Sequence, residues 1–153
     1  MTDWTRQHGH LIAQAIRAGE TTASAVIEAH LLAIARRNAE LGAYTEVSTE
    51  RARAKAAAVD AARARGEALP PLAGVPFAVK NLYDIAGIRT LAGSKINRDH
   101  APARTDATLI TRMEAAGAVL LGALNMGEYA YDFTGRNAHD GHSRNPHDRT
   151  RMT

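Results

Sequence analysis

The chain has 153 residues, 45% of them hydrophobic and 23% charged, which is typical of a globular domain with a sizeable core and excludes a largely disordered chain. It contains no cysteine, so disulfides, thiolate metal sites and a cysteine nucleophile are excluded within these residues. No stretch reaches the roughly 20 apolar residues of a membrane-spanning helix, and the N-terminus has no signal-peptide pattern. We therefore expect a cytoplasmic protein with no membrane partner.

The charge of the chain gives little support to nucleic-acid binding. The formal net charge is +3, and only three of the 19 basic residues are lysine. The densest basic run, residues 51–65, is interleaved with alanine and contains no aromatic residue for stacking. We interpret this run as the solvated face of a helix and expect no nucleic-acid partner. A weak nucleic-acid binder is an alternative hypothesis that rests on these arginines alone.

The first 66 residues predict a helical region. Apolar residues recur at helical spacing, as Leu11, Ile12 and Ile16 do, and glycines follow the periodic segments. In chain order, the predicted elements are a helix over about 4–18, a helix capped by Thr21 or Thr22 that runs to about Asn38, a strand over 43–47, and an Ala- and Arg-rich helix from Ser48 or Thr49 to near Gly66.

Residues 67–153 predict the start of an α/β core. Pro70 and Pro71 stop the preceding helix. The elements that follow are a strand over 75–79, a helix capped by Thr105 or Asp106 and closed by Gly117, a strand over 118–121, and a short helix over 125–132. This β–α–β order favours a parallel sheet. Residues 134–153 form a polar loop without periodicity, and a domain rarely finishes on such a loop, so we expect the fold to be incomplete.

Lys80 is the strongest candidate for chemistry. It follows the predicted strand GVPFAV and precedes the loop NLYDIAG, and sites in α/β sheets gather at the carboxyl ends of strands. Apolar neighbours would remove water from its ammonium group and allow it to act as a neutral general base. The alternative interpretation is an ordinary solvated lysine at the end of a strand.

Three histidines near the C-terminus form a weaker candidate site. His139, His142 and His147 lie among Asp140 and Asp148, and imidazole and carboxylate groups can bind zinc. Their spacing matches no metal-binding pattern, and the segment has no regular structure. We therefore interpret it as a polar surface loop and predict no metal.

A serine nucleophile and a phosphate-binding loop also have little support. Ser94 follows Gly93 in a loop, but no G-x-S-x-G elbow surrounds it and no His–Asp set is evident. We expect it to shape a turn or cap a helix. Neither GxGxxG nor GxxxxGK[ST] occurs, so the sequence predicts no nucleotide and no other cofactor.

Several motifs in the same order resemble those of a known family. The segment LAGVPFAVKN (72–81) is joined, in order and spacing, by TTASAVIEAHLLAIARRN (21–38), TLAGSKINRDH (90–100), PARTDATLITRMEAAGAVLLGALNMGEYAY (102–131) and SRNPHD (143–148). Together they resemble the amidase signature enzymes over nearly the whole chain. Within that family they resemble the branch of 1-carboxybiuret hydrolase-like amidohydrolases and, more distantly, the A subunit of glutamyl-tRNA amidotransferase.

The resemblance implies an α/β fold, in which N-terminal helices precede the first strands and helices of a mixed sheet. Lys80 matches the lysine of a Ser–cis-Ser–Lys triad, which accepts a proton through the cis-serine from the serine nucleophile. The nucleophile attacks an amide carbonyl, releases ammonia or an amine, and leaves an acyl-enzyme for water to cleave beside an oxyanion hole of backbone N–H groups. The implied substrate is a small amide or urea. The implied protein partner is a second copy of the chain or a small accessory subunit.

The sequence also departs from the family pattern. In the family an NPHD-type loop leads into a GGSSGGS-like stretch with the cis-serine, whereas RNPHDRTRMT here reaches Thr153. Only Lys80 is therefore carried over as catalytic, and we expect this chain to be inactive alone. The alternative is a non-catalytic or split-enzyme module that binds a complementing chain. Smaller departures occur at Gly127, Asp132, Gly135, Arg136 and His142.

Overall fold

The computed structural model describes residues 2–132 and 134–153, and it has a mixed α/β architecture. The helices in these residues are α1 (Gly9–Ala18), α2 (Ala23–Leu41), α3 (Thr49–Ala64) and α4 (Thr108–Ala115). The strands are β1 (Tyr44–Val47), β2 (Pro76–Lys80) and β3 (Val119–Leu124), and short 3-10 turns cover Trp4–Arg6, Lys95–Asn97 and Glu128–Ala130. No helix in the described part of the chain is long and apolar enough to cross a membrane.

The three strands form one mixed sheet in the order β1–β3–β2. Strand β1 pairs antiparallel with β3, so that Tyr44 faces Leu124 and Val47 faces Gly122. The predicted β–α–β unit corresponds to β2, α4 and β3. The sequence did not predict that β1 adds an antiparallel strand beside β3, because its pairing joins segments nearly 80 residues apart.

Two predicted helices differ from the observed elements. The helix expected over 4–18 is a 3-10 turn at Trp4–Arg6 followed by α1. The helix expected over 125–132 is wrong, because the described residues there form only the short turn Glu128–Ala130. Tyr129 and Ala130 have φ angles of 50° and 55°, and a right-handed helix cannot continue through residues in the left-handed region.

The chain divides into two compact units, each assembled from several stretches of sequence. We name residues 2–35, 48–77 and 109–121 the first unit, and residues 36–47, 78–108, 122–132 and 134–153 the second unit. The boundary that the sequence predicts between residues 66 and 67 stays a prediction.

Apolar side chains form the core of the first unit. Its helices bury aliphatic residues on one face, as their spacing predicts, and β3 contributes a run that is buried on both sides. The large side chains that are essentially inaccessible to solvent include Ile12, Ile16, Val26, Ile27, Ile110, Val119 and Leu120.

Polar contacts fix the helices of the first unit at their ends. The carboxylate of Asp60 in α3 accepts hydrogen bonds from the backbone N–H groups of Ala23 (2.7 Å) and Ser24 (3.0 Å), and it therefore caps the N-terminus of α2. The predicted cap Thr22 also acts there, because its Oγ1 accepts from the N–H of Ala25 at 3.0 Å.

Gly74 occupies a place in the first unit that a larger residue could not fill. Its φ is 74°, and a Cβ atom there would collide with the side chain of Ile16 and lie 2.9 Å from the Cβ of Ala23. Gly66 has nearly the same φ, 72°, but no atom lies within 4 Å of the corresponding Cβ position. A comparison of Gly74 with Gly66 therefore separates the cost of a left-handed backbone from the cost of a steric collision.

We predict that Gly74→Ala lowers the free energy of unfolding more than Gly66→Ala does. Gly66→Ala should cost about 1–2 kcal/mol for the left-handed backbone alone. Gly74→Ala should cost a further ~1–3 kcal/mol for overpacking. Urea unfolding midpoints of the two variants and the parent chain measure the difference. Equal losses for the two variants would contradict the steric argument.

Tyr44 in β1 generates a prediction for alkaline pH. Burial raises the pKa of the Tyr44 phenol above its ordinary value of about 10. The folded chain therefore holds this proton more tightly than the unfolded chain. The resulting stabilisation is fully present below about pH 10 and is lost as the pH rises through the folded-state pKa.

We expect Tyr44→Phe to reduce the fall in the urea midpoint between pH 8 and pH 10.5. Phenylalanine keeps the ring and removes the group that ionises in the unfolded chain. Tyr131→Phe is the matched control, because the Tyr131 side chain is 95% exposed, and this variant should fall as the parent chain does. A parent-like fall in Tyr44→Phe would contradict the prediction.

Candidate functional site

Lys80 is the last residue of β2 and lines a cavity of about 290 Å³ in the second unit. Val79 before it is buried, whereas the Lys80 side chain is exposed. The position at a strand end is as predicted, but the expected removal of water from the ammonium group is not provided by the described residues. The cavity is also lined by Asn125, Met126, Gly127, Asp132 and Ser143, among others.

Asn81 fixes the backbone immediately after Lys80. Its side chain is 2% exposed; Nδ2 donates to Oγ1 of Thr45 at 3.0 Å, and Oδ1 accepts from the N–H of Leu91 at 2.9 Å. Its own N–H donates to the carbonyl of Leu124 at 2.9 Å. One asparagine therefore joins the end of β2 to β1, to β3 and to the loop that follows, and it determines where the lysine side chain begins.

Asn125 fixes the residue that follows β3. Its Nδ2 donates to the carbonyl oxygens of Gly42 (3.0 Å) and Gly141 (2.9 Å), while its Oδ1 accepts from the N–H of Met126 at 2.8 Å. The amide thus connects a strand end on one wall of the cavity to the polar C-terminal segment, which has no regular structure of its own.

Asn137 has the same function within that C-terminal segment. It is 3% exposed, and its Nδ2 donates to the carbonyls of Gly93 and Met126, both at 2.8 Å. Its Oδ1 accepts from the N–H groups of His139 (2.7 Å) and Asp140 (2.8 Å). Four hydrogen bonds to one buried amide hold a segment that the sequence describes only as an irregular loop.

The three histidines do not converge. Nδ1 of His142 accepts from the N–H of Asn137 at 3.0 Å, and Nε2 of His139 lies 3.5 Å from Oε1 of Glu128. His147 instead donates its N–H to a turn formed by Asn145. Within residues 2–132 and 134–153, no three His or acidic side chains are grouped so that they could hold a metal ion.

Ser94 is enclosed rather than available to a substrate. Its side chain is 1% exposed, and its hydroxyl donates to Oε1 of Glu128 at 2.5 Å. It begins the turn Lys95–Asn97 without capping it through its side chain. The hydroxyl therefore orients the Glu128 carboxylate, and Ser94 is not among the residues that line the Lys80 cavity.

Asp132 is a charged group at the Lys80 cavity that the sequence pattern did not assign to the site. Its Oδ1 accepts from the N–H (2.8 Å) and the hydroxyl (2.7 Å) of Thr134. These bonds, with the charge of Arg136, hold the pKa of the Asp132 carboxyl below its usual value, so it is ionised at neutral pH. Among sequence features, only its departure from the family pattern singled it out.

The fold and the sequence together identify the family of this chain. The sequence motifs predict an α/β fold with a mixed sheet and a lysine at the end of a strand, and the structure has this arrangement. Residues 25–153 match the Amidase family model. The chain therefore belongs to the amidase signature family.

Individual relatives agree with this family. The chain is 57% identical over 141 residues to AtzE, a 1-carboxybiuret hydrolase subunit of Pseudomonas sp. (strain ADP), a match that covers 92% of this chain and 31% of the relative. It is 42% identical over 152 residues to the A subunit of glutamyl-tRNA(Gln) amidotransferase from Streptomyces coelicolor, covering 99% of this chain and 30% of that protein. The resemblance to the 1-carboxybiuret hydrolase-like branch is thereby confirmed.

Solved structures confirm the predicted fold class. A chain of the vestigial protein complex described for an s-triazine catabolic enzyme superposes with a TM-score of 0.94 at 55% identity, over 95% of this chain and 32% of that chain. A bacterial aryl acylamidase of the amidase signature family superposes with a TM-score of 0.86 at 27% identity, over 94% and 30%. The chain thus spans about a third of the length of the relatives that it matches.

We predict that Asn81→Ala destabilises the second unit by about 1–3 kcal/mol, because the buried N–H of Leu91 loses its acceptor. Amide hydrogen exchange at Leu91 should accelerate together with the loss of stability. Asn145→Ala is the matched control. Its amide makes comparable bonds to Met152 and His147 in exposed surroundings, where water replaces them. Similar losses of unfolding free energy in the two variants would contradict the stabilising role assigned to the buried hydrogen bonds of Asn81.

Proposed function

We propose that this chain is the N-terminal part of an amidohydrolase that cleaves the C–N bond of a small linear amide or urea. The observation that carries the proposal is the position of Lys80, at the carboxyl end of β2 and on the wall of a cavity, in a chain of the amidase signature family. Sites in α/β sheets lie at such strand ends. Cytoplasmic location, as the sequence predicts, is part of the same proposal.

In the proposed mechanism, Lys80 is the base of a Ser–cis-Ser–Lys triad. The family pattern places both serines in and after a Gly/Ser-rich stretch, and residues 1–153 contain no such stretch. A base without its nucleophile has nothing to activate, and members of a triad act as one unit. The 153 residues alone should therefore hydrolyse no amide, and no cofactor is required.

The exposure of Lys80 adds a requirement to this proposal. A lysine acts as a base only in its neutral form, and removal from water is one way to favour that form. Because the described residues leave Lys80 exposed, we propose that the groups that complete the site also cover it. These groups belong to further residues of the same protein or to a complementing chain.

The second candidate function is a module that binds a partner chain without catalysis of its own. Exposed apolar side chains in the second unit favour it, since Ile96 is 68% exposed and Tyr131 95%. The proposed partners are a second copy of the chain, a complementing C-terminal segment or a small accessory subunit. The intact mass of the native protein, together with its elution volume on size exclusion, separates them from a lone chain.

We predict that the native-length protein releases ammonia or an amine from small linear amides and that Lys80→Ala lowers kcat by about 10²- to 10⁴-fold. Lys55→Ala, a lysine on α3, is the control and should keep parental activity. Residues 1–153 expressed alone should show no turnover. Parental turnover in Lys80→Ala would remove the basis of the proposal, and turnover by the 153 residues alone would show that the missing serines are not needed.

A further inference from the structure

The cavity that contains Lys80 also contains a second charge. Of the side chains that line it within residues 2–132 and 134–153, two are charged, those of Lys80 and Asp132. The other lining positions carry neutral side chains, such as Asn125, Met126 and Ser143. The selectivity of this cavity for charged ligands is therefore set by one ammonium and one carboxylate.

Gly127 provides the space in which the Asp132 carboxylate lies. A Cβ atom at position 127 would be 3.1 Å from Oδ1 and 3.2 Å from Oδ2 of Asp132, closer than ordinary contacts between such atoms. The backbone of Gly127, with φ −60° and ψ 148°, is one that any residue can adopt. Glycine is therefore suited to this position by the room that it leaves and not by its conformational freedom.

The Asp132 carboxylate is also fixed in direction. Thr134 donates two hydrogen bonds to Oδ1, one from its backbone N–H and one from its hydroxyl. The charge of Arg136 contributes to the lowered pKa of Asp132; Arg136 lines a second cavity that Asp132 also borders and is not among the residues that line the Lys80 cavity. The carboxylate thus stays charged at the wall that it shares with Lys80.

We propose that Asp132 is a specificity-determining residue, which offsets the charge of Lys80 and removes the preference for carboxylated amides that a lone ammonium would give the cavity. The inference rests on the proposed function, in which this cavity receives the amide. Without Asp132 the cavity would carry a single positive charge and would attract carboxylates. With it, a ligand carboxylate is attracted by Lys80 and repelled by Asp132, and a ligand ammonium group the reverse, so the two effects largely cancel. A neutral amide N–H₂ finds an acceptor in the Asp132 carboxylate.

Three amides of similar size test the proposal: butyramide, which is neutral, β-alaninamide, which is cationic, and succinamate, which is anionic. The native-length protein is labelled with ¹³C at the methionine methyl groups, and binding is followed by the shift of the Met126 methyl at low ionic strength. Met126 lines the cavity, while Met113 lies in α4 of the first unit and reports non-specific effects. We expect β-alaninamide and succinamate to bind the parent protein with dissociation constants within about threefold of each other.

Two variants and one control isolate the carboxylate. Asp132→Asn keeps an acceptor for Thr134 and removes the charge, and it should shift the ratio of the two dissociation constants about tenfold towards succinamate. Gly127→Ala should displace the carboxylate and shift the ratio in the same direction by less. Asp148→Asn is the matched control, because Oδ1 of Asp148 accepts from the N–H and hydroxyl of Thr150 in the same way, away from this cavity.

The outcomes separate this inference from the function on which it rests. A parental ratio in Asp132→Asn, with butyramide still shifting the Met126 methyl, overturns the charge selection and leaves the amide site intact. A shift in Asp148→Asn as large as that in Asp132→Asn also overturns it, since the effect would then be one of net charge. If no amide shifts the Met126 methyl, the cavity does not bind amides, and both this inference and the proposed function are overturned.

Discussion

The geometry around Lys80 depends on buried asparagine side chains in which both the amide nitrogen and the amide oxygen form hydrogen bonds. An unpaired polar group in such a place would cost about 1–3 kcal/mol, so each amide must find both its donors and its acceptors. Asn81, Asn125 and Asn137 do so by linking strand ends and loops that are distant in sequence. The first unit has an aliphatic core, whereas in the second unit hydrogen bonds join buried residues such as Val79 and Ile85 in holding the backbone beside the lysine.

This difference matters for the proposed chemistry. A base must be placed within hydrogen-bond reach of its partner, and small displacements of a reacting group are costly. The amide of Asn81 holds the backbone next to Lys80 from two directions, through Thr45 and Leu91. The side chain itself lines a cavity and is left exposed, so the backbone is held in place while the ammonium group remains open to solvent.

The sequence predicted what depends on local pattern. The strand that ends at Lys80, the helices of the first unit and the cap at Thr22 follow from apolar spacing and from residue types that act on their near neighbours. The partners of Asn81, 36 and 10 residues away, cannot be read from periodicity. Periodicity also does not reveal the left-handed backbone of Tyr129, which interrupts the segment 125–132 that the pattern assigned to a helix.

The contact between Gly127 and Asp132 makes the two positions interdependent. A Cβ atom at position 127 would crowd the space that the Asp132 carboxylate occupies, whereas glycine leaves that space free. A substitution at either position therefore acts in surroundings that the other position determines. The effect of each change thus depends on the other, as expected for residues in contact. The carboxylate at this cavity is thus a property of the pair of positions 127 and 132 and not of a single residue.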